Sequence, residues 1–490
     1  MEQEKSGKNA KGGTQAGDEP VRSNTDVLPD GGSVRSSDEG AVMVVERRGG
    51  VKRTIGVEPP AQRRGKSLPT GFKVLPITIS QVSKAYEKVR RNGGSAGVDG
   101  QSLADFAEDL TANLYRLWNR LSSGSYHPSP VREVEIPKGD GGIRKLGIPT
   151  VEDRIAQQVI KSYLEPRLDR LFHPHSYGYR RRRSAHQALC EVRRQCRSYA
   201  YAIDMDIKSF FDEVSHDLLL RALRKHVSEK WVLRLVEQWL RAPIAEAGAG
   251  GKLRYRIGRG TPQGGVISPL LANLFLHYVL DEWLARKHPG VALVRYADDA
   301  IIHCRTGPQA EEVLDDIAAR LTSCGLRLHP TKTKIVFCKQ SNRGWQEPDY
   351  AIYFDFLGHR FRPRTKRNRW GVLFTCFDGA ISPKAERRIT EVFRKDDIQN
   401  KPSLSLEQIA QWYEPKLRAY YAYYGAMDAH AIKRIFYRFN YRLLKWAMKK
   451  YKGLRTSHRR ACDWIKKQAR DRPGLFHHWS KGITYIAQLA

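Results

Sequence analysis

Apolar positions along this chain follow two periods, and the change from mixed periods to a single one divides it. From Ile77 the stretch ITISQVSKAYEKVRRN repeats apolar residues at helical spacing until the Gly93-Gly94 pair stops it. A second amphipathic helix is predicted over 103–121, within SLADFAEDLTANLYRLWNRL. Residues 122–300 then alternate strands and helices. VREVEIPKGDGGIRKLGIP predicts a hairpin with GDGG at its tip, and VEDRIAQQVIKSYLEPRLDRLF a helix with a polar face. YAIDMDI predicts a short strand of alternating burial that includes Asp206. HDLLLRALRKHV, EKWVLRLVEQWL and the longer LLANLFLHYVLDEWLARK read as helices, and ALVRYADDAIIHC as a hairpin. EEVLDDIAARLTSCG is a helix ending in glycine, and IYFDFLGHRFR and RWGVLFTCF are further strands. After about residue 380 the strands stop. ISPKAERRITEVFRK, SLEQIAQWYEPKLRAYYAYYGAM and DAHAIKRIFYRFNYRLLKWAMKKY then predict three amphipathic helices. The mixture is α+β rather than a regular βαβ series.

Composition changes this picture at both ends. Residues 1–71 hold no Phe, Tyr or Trp and carry 12 Lys+Arg against 10 Asp+Glu, so they cannot offset their ordering entropy and are expected to be a disordered tail. The whole chain of 490 residues has a formal charge of +33, which leaves +31 for the remainder. That excess suits a polyanion, and nucleic acid is the commonest large one. No apolar run reaches the ~18 residues of a spanning helix, so no membrane role is expected. The early acidic residues argue against a transit peptide. Seven cysteines without a CxxC pair predict reduced thiols rather than disulfides or a zinc ribbon. Residues 431–490 hold 16 Lys+Arg, with only Asp463 and Asp471 as acids. Interleaved there are Phe436, Tyr437, Phe439, Tyr441, Trp446, Tyr451, Trp464 and Trp479, of which a helical core stripe accounts for about half.

The candidate chemistry lies in the acidic residues of the middle. Asp298 and Asp299 sit between two apolar runs, where a plain polar turn is one reading and a metal-binding turn the other. Asp206, on a separate strand, supplies a third carboxylate. Nucleotidyl transfer uses two Mg²⁺ ions about 4 Å apart, and carboxylates from neighbouring strands suit such hard cations.

These residues fall in motifs that resemble group II intron-encoded reverse transcriptases, or maturases. DIKSFFDEVSH (206–216), RGTPQGGVISPLLANLFL (259–276) and YADD (296–299) resemble the family's palm motifs. GGSAGVDG (93–100) is similar to its N-terminal extension, and IPKGDGGIRKLGIPTVEDRIAQ (136–157) to its fingers hairpin and helix. SYGYRRRRSAHQAL (176–189), with Tyr179 where the family often has Phe, GLRLHPTKTKIVF (325–337) and FDFLGHRF (354–361) resemble further blocks. YEPKLRAYYAYYG (413–425) looks like the maturase thumb signature, with Ala419-Tyr420 in place of the usual Gly-Trp. The likeness covers roughly residues 75–485 in order.

The resemblance implies a right-hand polymerase: fingers and palm over 72–380, an all-α thumb (the maturase X domain) over 381–452, and a short basic DNA-binding segment over 453–490. It implies two Mg²⁺ ions held by Asp206 and Asp298, with Asp299 supporting and the Ile207 backbone carbonyl contributing. Lys138 and Arg144 are expected to hold the incoming triphosphate, and Gln263 with Gly264 to pack along the nucleotide. Phe211 is the candidate steric gate against a ribose 2′-hydroxyl, with ordinary core as its alternative. Asp204 and Asp212 are read as structural. Arg180, Arg182, Arg183, Lys332, Arg442, Lys449, Lys450, Arg459 and Arg460 are expected nucleic-acid contacts. His477-His478 is read as packing or RNA contact, and no endonuclease domain is expected. The implied partners are group II intron RNA, a DNA target or primer, and dNTP, with room for a homo-oligomer. The implied setting is a bacterial cytoplasm, at the nucleoid when on DNA. The function implied is RNA-directed DNA synthesis for intron mobility, together with intron binding for splicing. Two alternatives stay open: an intron-independent reverse transcriptase of the diversity-generating or defence kind, and a splicing-only maturase.

Overall fold

The computed structural model describes residues 75–137, 142–246, 252–343 and 350–486; the expected tail over 1–71 and the hairpin residue Lys138 lie outside the described residues. The first helix runs Ile79–Asn92, begun by a Thr78–Gln81 capping box and ended at Gly93, whose φ of 65° suits a residue without a side chain. The helix expected over 103–121 is in fact two, Leu103–Glu108 and Leu110–Ser123. Asp109 leaves helical geometry between them, and the buried Asn113 amide donates to the Phe106 carbonyl that the break frees. A buried side chain thus satisfies a backbone group that periodicity alone does not flag.

Val131–Pro137 and Ile143–Ile148 pair antiparallel as the expected hairpin. The central sheet has four antiparallel strands in the order Ala292–Tyr296, Asp299–Cys304, Tyr201–Met205 and Lys334–Phe337. Both its faces are covered, which is why Asp299–Cys304 is buried at every position after the first. One face joins the core of the N-terminal helices through Ile203, Met205, Leu293 and Ile302. The other joins a second core through Ala202, Val294, Ile301 and Val336. The long helix after residue 267 is regular over Ser268–Leu276 and Glu282–Lys287, with a wider π turn at His277–Asp281 between them.

IYFDFLGHRFR resolves into two strands, Phe354–Phe356 and His359–Arg367, because Leu357 and Gly358 both take positive φ (48° and 74°) and close a two-residue turn. His359–Arg367 then pairs with Leu373–Ile381 over nine residue pairs.

The three helices expected after 380 are Pro383–Asp396, Leu406–Gly425 and Lys433–Lys450. Residues 453–486 continue as His458–Asp471 and a short turn of helix at His477–Ser480. They are packed, not loose: Ala461, Ile465, Phe476, Trp479 and Ile483 share one apolar cluster with Phe393, Tyr413, Phe439 and Trp446. His478 lies flat on Phe436 and bonds Asn440 at 2.7 Å, and burial pushes its pKa down to about 3. Of the eight interleaved aromatics, Phe436, Phe439, Trp446 and Trp479 are the buried ones. No helix among the described residues is long and apolar enough to cross a membrane, and the seven cysteines are free.

Candidate active site

The YADD turn is a two-residue link, Ala297-Asp298, closed by the pairing of Tyr296 with Asp299. Ala297 adopts a φ of 59°, a conformation usually left to glycine. Asp206 lies one residue beyond the strand Tyr201–Met205 rather than within it, where the backbone turns into the bridge between Ile207 and Leu328. One step past the Met205–Ala300 pair, that places Asp206 level with Asp299. The bridge is closed by its neighbours: the His329 N–H donates to Asp206 O at 2.8 Å and the Lys208 N–H to Arg327 O at 2.9 Å. The Ile207 carbonyl is therefore left unused by this pairing.

Four carboxylates share the field here. Burial pushes the Asp298 carboxyl above its ordinary range, and Asp206 adds to the push while Arg144 and Arg295 oppose it. Asp299 is driven well up by burial and then by Asp204, Asp298 and Asp206. Asp204, read from sequence as structural, is pushed up to about 7 by burial; Lys334 pulls it back, and Asp355 and Asp206 add to the rise. Lys332 Nζ stands 3.6 Å from Asp206 and Lys334 Nζ 4.0 Å from Asp204. Among the described residues, the trio of metal-ligating side chains with ligand atoms all within 4.8 Å is His288, Glu312 and Asp316, so the sheet carboxylates stand further apart than that. Carboxylate oxygens beside an unused backbone carbonyl are hard donors that fit a divalent cation such as Mg²⁺.

The turn is held from beneath by a residue that sequence reasoning passed over. Arg295 has no exposed surface, although strand alternation gives no reason to bury an arginine. Its guanidinium donates to both Asp281 oxygens (2.8 and 2.5 Å), to Asn273 Oδ1 at 2.9 Å and to the Ala297 carbonyl at 2.8 Å. Asn273 in turn donates to Gly178 O at 2.8 Å. Gly178 rests directly on the turn: a Cβ there would sit 2.3 Å from Ala297 N. The one signal for this network was a charged residue in the middle of an apolar strand.

Around the carboxylates the nucleotide candidates fall into place unequally. Arg144 is exposed on the fingers hairpin and close enough to lower the pKa of Asp298. Tyr179, exposed and with φ 56°, lies beside Tyr296 (ring centroids 6.4 Å apart) and feels both Asp298 and Arg144. Gln263 O accepts from Gly147 N–H at 2.7 Å, tying this segment to the fingers strand. Gly264 takes φ 122°, and a Cβ on it would lie 2.4 Å from Gly147 O, so no side chain fits. Phe211 is half-buried edge-on to Phe210, with its carbonyl accepting from Thr261 N–H at 2.8 Å.

The expected nucleic-acid contacts divide. Arg180 is not free to meet a phosphate: its guanidinium is bound by Asp169 (2.7 Å) and by the carbonyls of Asp169, His173 and Ser176, over the Phe172 ring. Burying an arginine demands such full pairing. Arg182 and Arg183 are exposed, Arg183 over the Tyr177 ring. Lys332 is drawn to Asp206 instead of standing free. Arg442, Lys449 and Lys450 bond Gln399, Asn400 and Pro402 O, while Arg459 and Arg460 face solvent.

A profile of the reverse transcriptase (RNA-dependent DNA polymerase) family matches residues 136–361, and one of the group II intron maturase-specific domain matches 384–464. Protein YkfC of Escherichia coli (strain K12) is 34% identical over 314 residues, covering 56% of this chain and 78% of that protein. The group II intron-encoded protein LtrA of Lactococcus lactis subsp. cremoris is 31% identical over 196 residues, covering 39% of this chain and 32% of LtrA. A putative COX1/OXI3 intron 1 protein of Saccharomyces cerevisiae is 33% identical, covering 42% of this chain and 24% of the yeast protein. The chain thus spans about a third or less of the latter two. Among solved structures, a telomerase from Candida albicans in complex with a TWJ fragment of telomeric RNA shows a slight likeness. Its TM-score is 0.40 at 12% identity, over 79% of this chain and 69% of that one.

Proposed function

Because the chain belongs to the group II intron reverse transcriptase and maturase family, we propose that it copies RNA into DNA and also binds its intron RNA to promote splicing and mobility. The observation that carries the polymerase reading is that Asp206, Asp298 and Asp299 lie at one end of the central sheet, Asp206 near enough to raise the pKa of the other two and Arg144 near enough to lower that of Asp298. In this reading a primer 3′-oxygen attacks the α-phosphate of a dNTP and pyrophosphate leaves. Asp206 and Asp298, with Asp299 and the Ile207 carbonyl in support, would hold two Mg²⁺ ions, which would supply Lewis-acid activation of the 3′-hydroxyl and charge neutralisation at the phosphates. The chain's own groups do the positioning. Arg144, with Lys138, grips the triphosphate from the fingers side. Gln263 and Gly264, held against the fingers strand at Gly147, pack along the nucleotide. Phe211 fills the space that a ribose 2′-hydroxyl would take. Arg295 keeps the turn fixed against the mutual repulsion of its carboxylates, so the site is preorganised before substrate arrives.

The test is primer extension on an RNA template with Mg²⁺ and either dNTP or NTP. Extension with dNTP that is lost in Asp298→Asn supports the reading; equal use of both nucleotides, or activity unchanged by the substitution, overturns it. The splicing role rests on the maturase-specific match together with the basic helical region, net +14 over 431–490. Here Asp298→Asn should splice intron RNA as well as the parent, since RNA binding does not use that carboxylate.

A further inference from the structure

The hairpin of His359–Arg367 and Leu373–Ile381 leaves the junction between sheet and helices and runs for nine residue pairs, about 27 Å at ordinary strand rise. Its base is buried through His359, Phe361 and Phe377. Its tip is not. Trp370 is 71% exposed, Leu373 62%, Val372 59% and Phe374 38%, four large apolar side chains within five residues. Over 359–375 there are six arginines and lysines and no carboxylate. Some are committed: Arg360 to Asp355, Arg364 to Asp378 O and Asp428, and Lys366 to Asp378. Arg362, Arg367 and Arg369 have no carboxylate partner among the described residues, and Arg369 lies over the Trp370 ring at 4.1 Å.

Edge protection explains cations along a free strand, because charge blunts the unpaired backbone. It does not explain the tip, where an exposed tryptophan and three further apolar groups would invite the association that the cations prevent. A ring already stacked by one guanidinium, with further arginines on the strand that leads to it and no acid over 359–375, is the combination that binds unpaired bases while neutralising their phosphates. We propose that the tip of this hairpin, centred on Arg367, Arg369 and Trp370, is a binding surface for single-stranded RNA, separate from the polymerase cleft. The inference rests on nucleic acid being this protein's substrate, and the tip extends that contact to strand lying outside the catalytic site.

The full chain is used for the test, with oligo(U) RNA as the probe and fluorescence anisotropy measured across a salt series. Trp370→Ala should weaken binding about tenfold, and Trp370→Phe should restore most of it, since base stacking on one ring is worth ~1–3 kcal/mol. Arg367→Ala with Arg369→Ala should reduce the slope of log affinity on log salt by about 1.4, two phosphates at ~0.7 each. Oligo(U) carrying 4-thiouridine should crosslink to the tip. Extension of a saturating primer–template should stay at the parent level in all three variants, so loss of polymerase activity in the parent tests the proposed function and leaves this result independent. Unchanged oligo(U) affinity in both alanine variants overturns the inference. So does a change confined to self-association in sedimentation, which would make the tip a contact between copies of this chain.

Discussion

The turn at Ala297-Asp298 and the turn at Leu357-Gly358 each join two antiparallel strands through two residues, and each is entered at positive φ. They are held by opposite means. The first is anchored by a buried ion pair, Arg295 with Asp281, and presents carboxylates whose charge resists their being together. The second is anchored by neutral groups: Leu357 O accepts from the Tyr423 hydroxyl at 2.9 Å and from His359 Nδ1 at 3.1 Å, and Gly358 O accepts from Ser382 N–H. A turn that must keep negative charges in place needs a charge behind it. A turn that only joins the sheet to the helical region needs hydrogen bonds and rings.

The largest effects should fall on the first turn. Asp206→Asn and Asp298→Asn are each expected to slow RNA-templated extension at least about a thousandfold. Because Asp298 is repelled by Asp206, Asp298→Asn should also melt no lower than the parent. A lower melting temperature for Asp298→Asn would mean that the carboxylate is structural. Next, Arg295→Met should cost about 3–5 kcal/mol in denaturant unfolding, because it strands Asp281 in the core. Pairing it with Asp281→Leu should recover stability without recovering extension. Full recovery of both would show that the ion pair is mere packing.

At the second turn the expected effects are smaller and neutral in kind. Burial pushes the His359 pKa from the ordinary 6.5 down to about 4. A depressed folded-state value means that its contribution is present above 6.5 and is lost as pH falls toward 4, by up to about 3 kcal/mol. Melting curves should therefore fall less steeply over that window in His359→Gln than in the parent, and parallel curves would contradict this. The smallest effect is Tyr423→Phe, which removes one hydrogen bond and should cost about 1 kcal/mol while leaving catalysis on supplied primer intact.

What sequence made legible follows the same division. The strand Asp299–Cys304 was readable as an unbroken apolar run behind a polar turn, the strand Val131–Pro137 by a period of two, and the three helices after 380 by a period of 3.6. Asp298 and Asp206 stood out only together and through the motifs that resemble the reverse transcriptase family, since an acidic strand residue or an Asp-Asp turn is unremarkable alone. The break at Asp109 was not, since it depends on the Asn113 amide reaching back seven residues. Nor was Arg180 legible as a buried cation: a run of four arginines reads as surface charge, and only the fold brings Asp169 beside its first member. Arg295 escaped for the converse reason, because a charged residue in a strand reads as solvent-facing until its partner arrives from a helix.

That partner depends on the π turn at His277–Asp281. Asn273 and Asp281 are eight residues apart, and in an unbroken α-helix, at about 100° per residue, they would point some 80° away from one another. A single wide turn absorbs one residue, reduces the separation to an effective seven, and brings the two side chains within about 20°. Both then reach the same guanidinium. The inserted residue works as a phase adjuster. Deleting one position from this turn would leave seven residues in a regular helix and keep the acid facing Arg295, whereas straightening the turn with every residue in place would swing the acid some 80° away and cost the Ala297-Asp298 turn its anchor through helical phase alone.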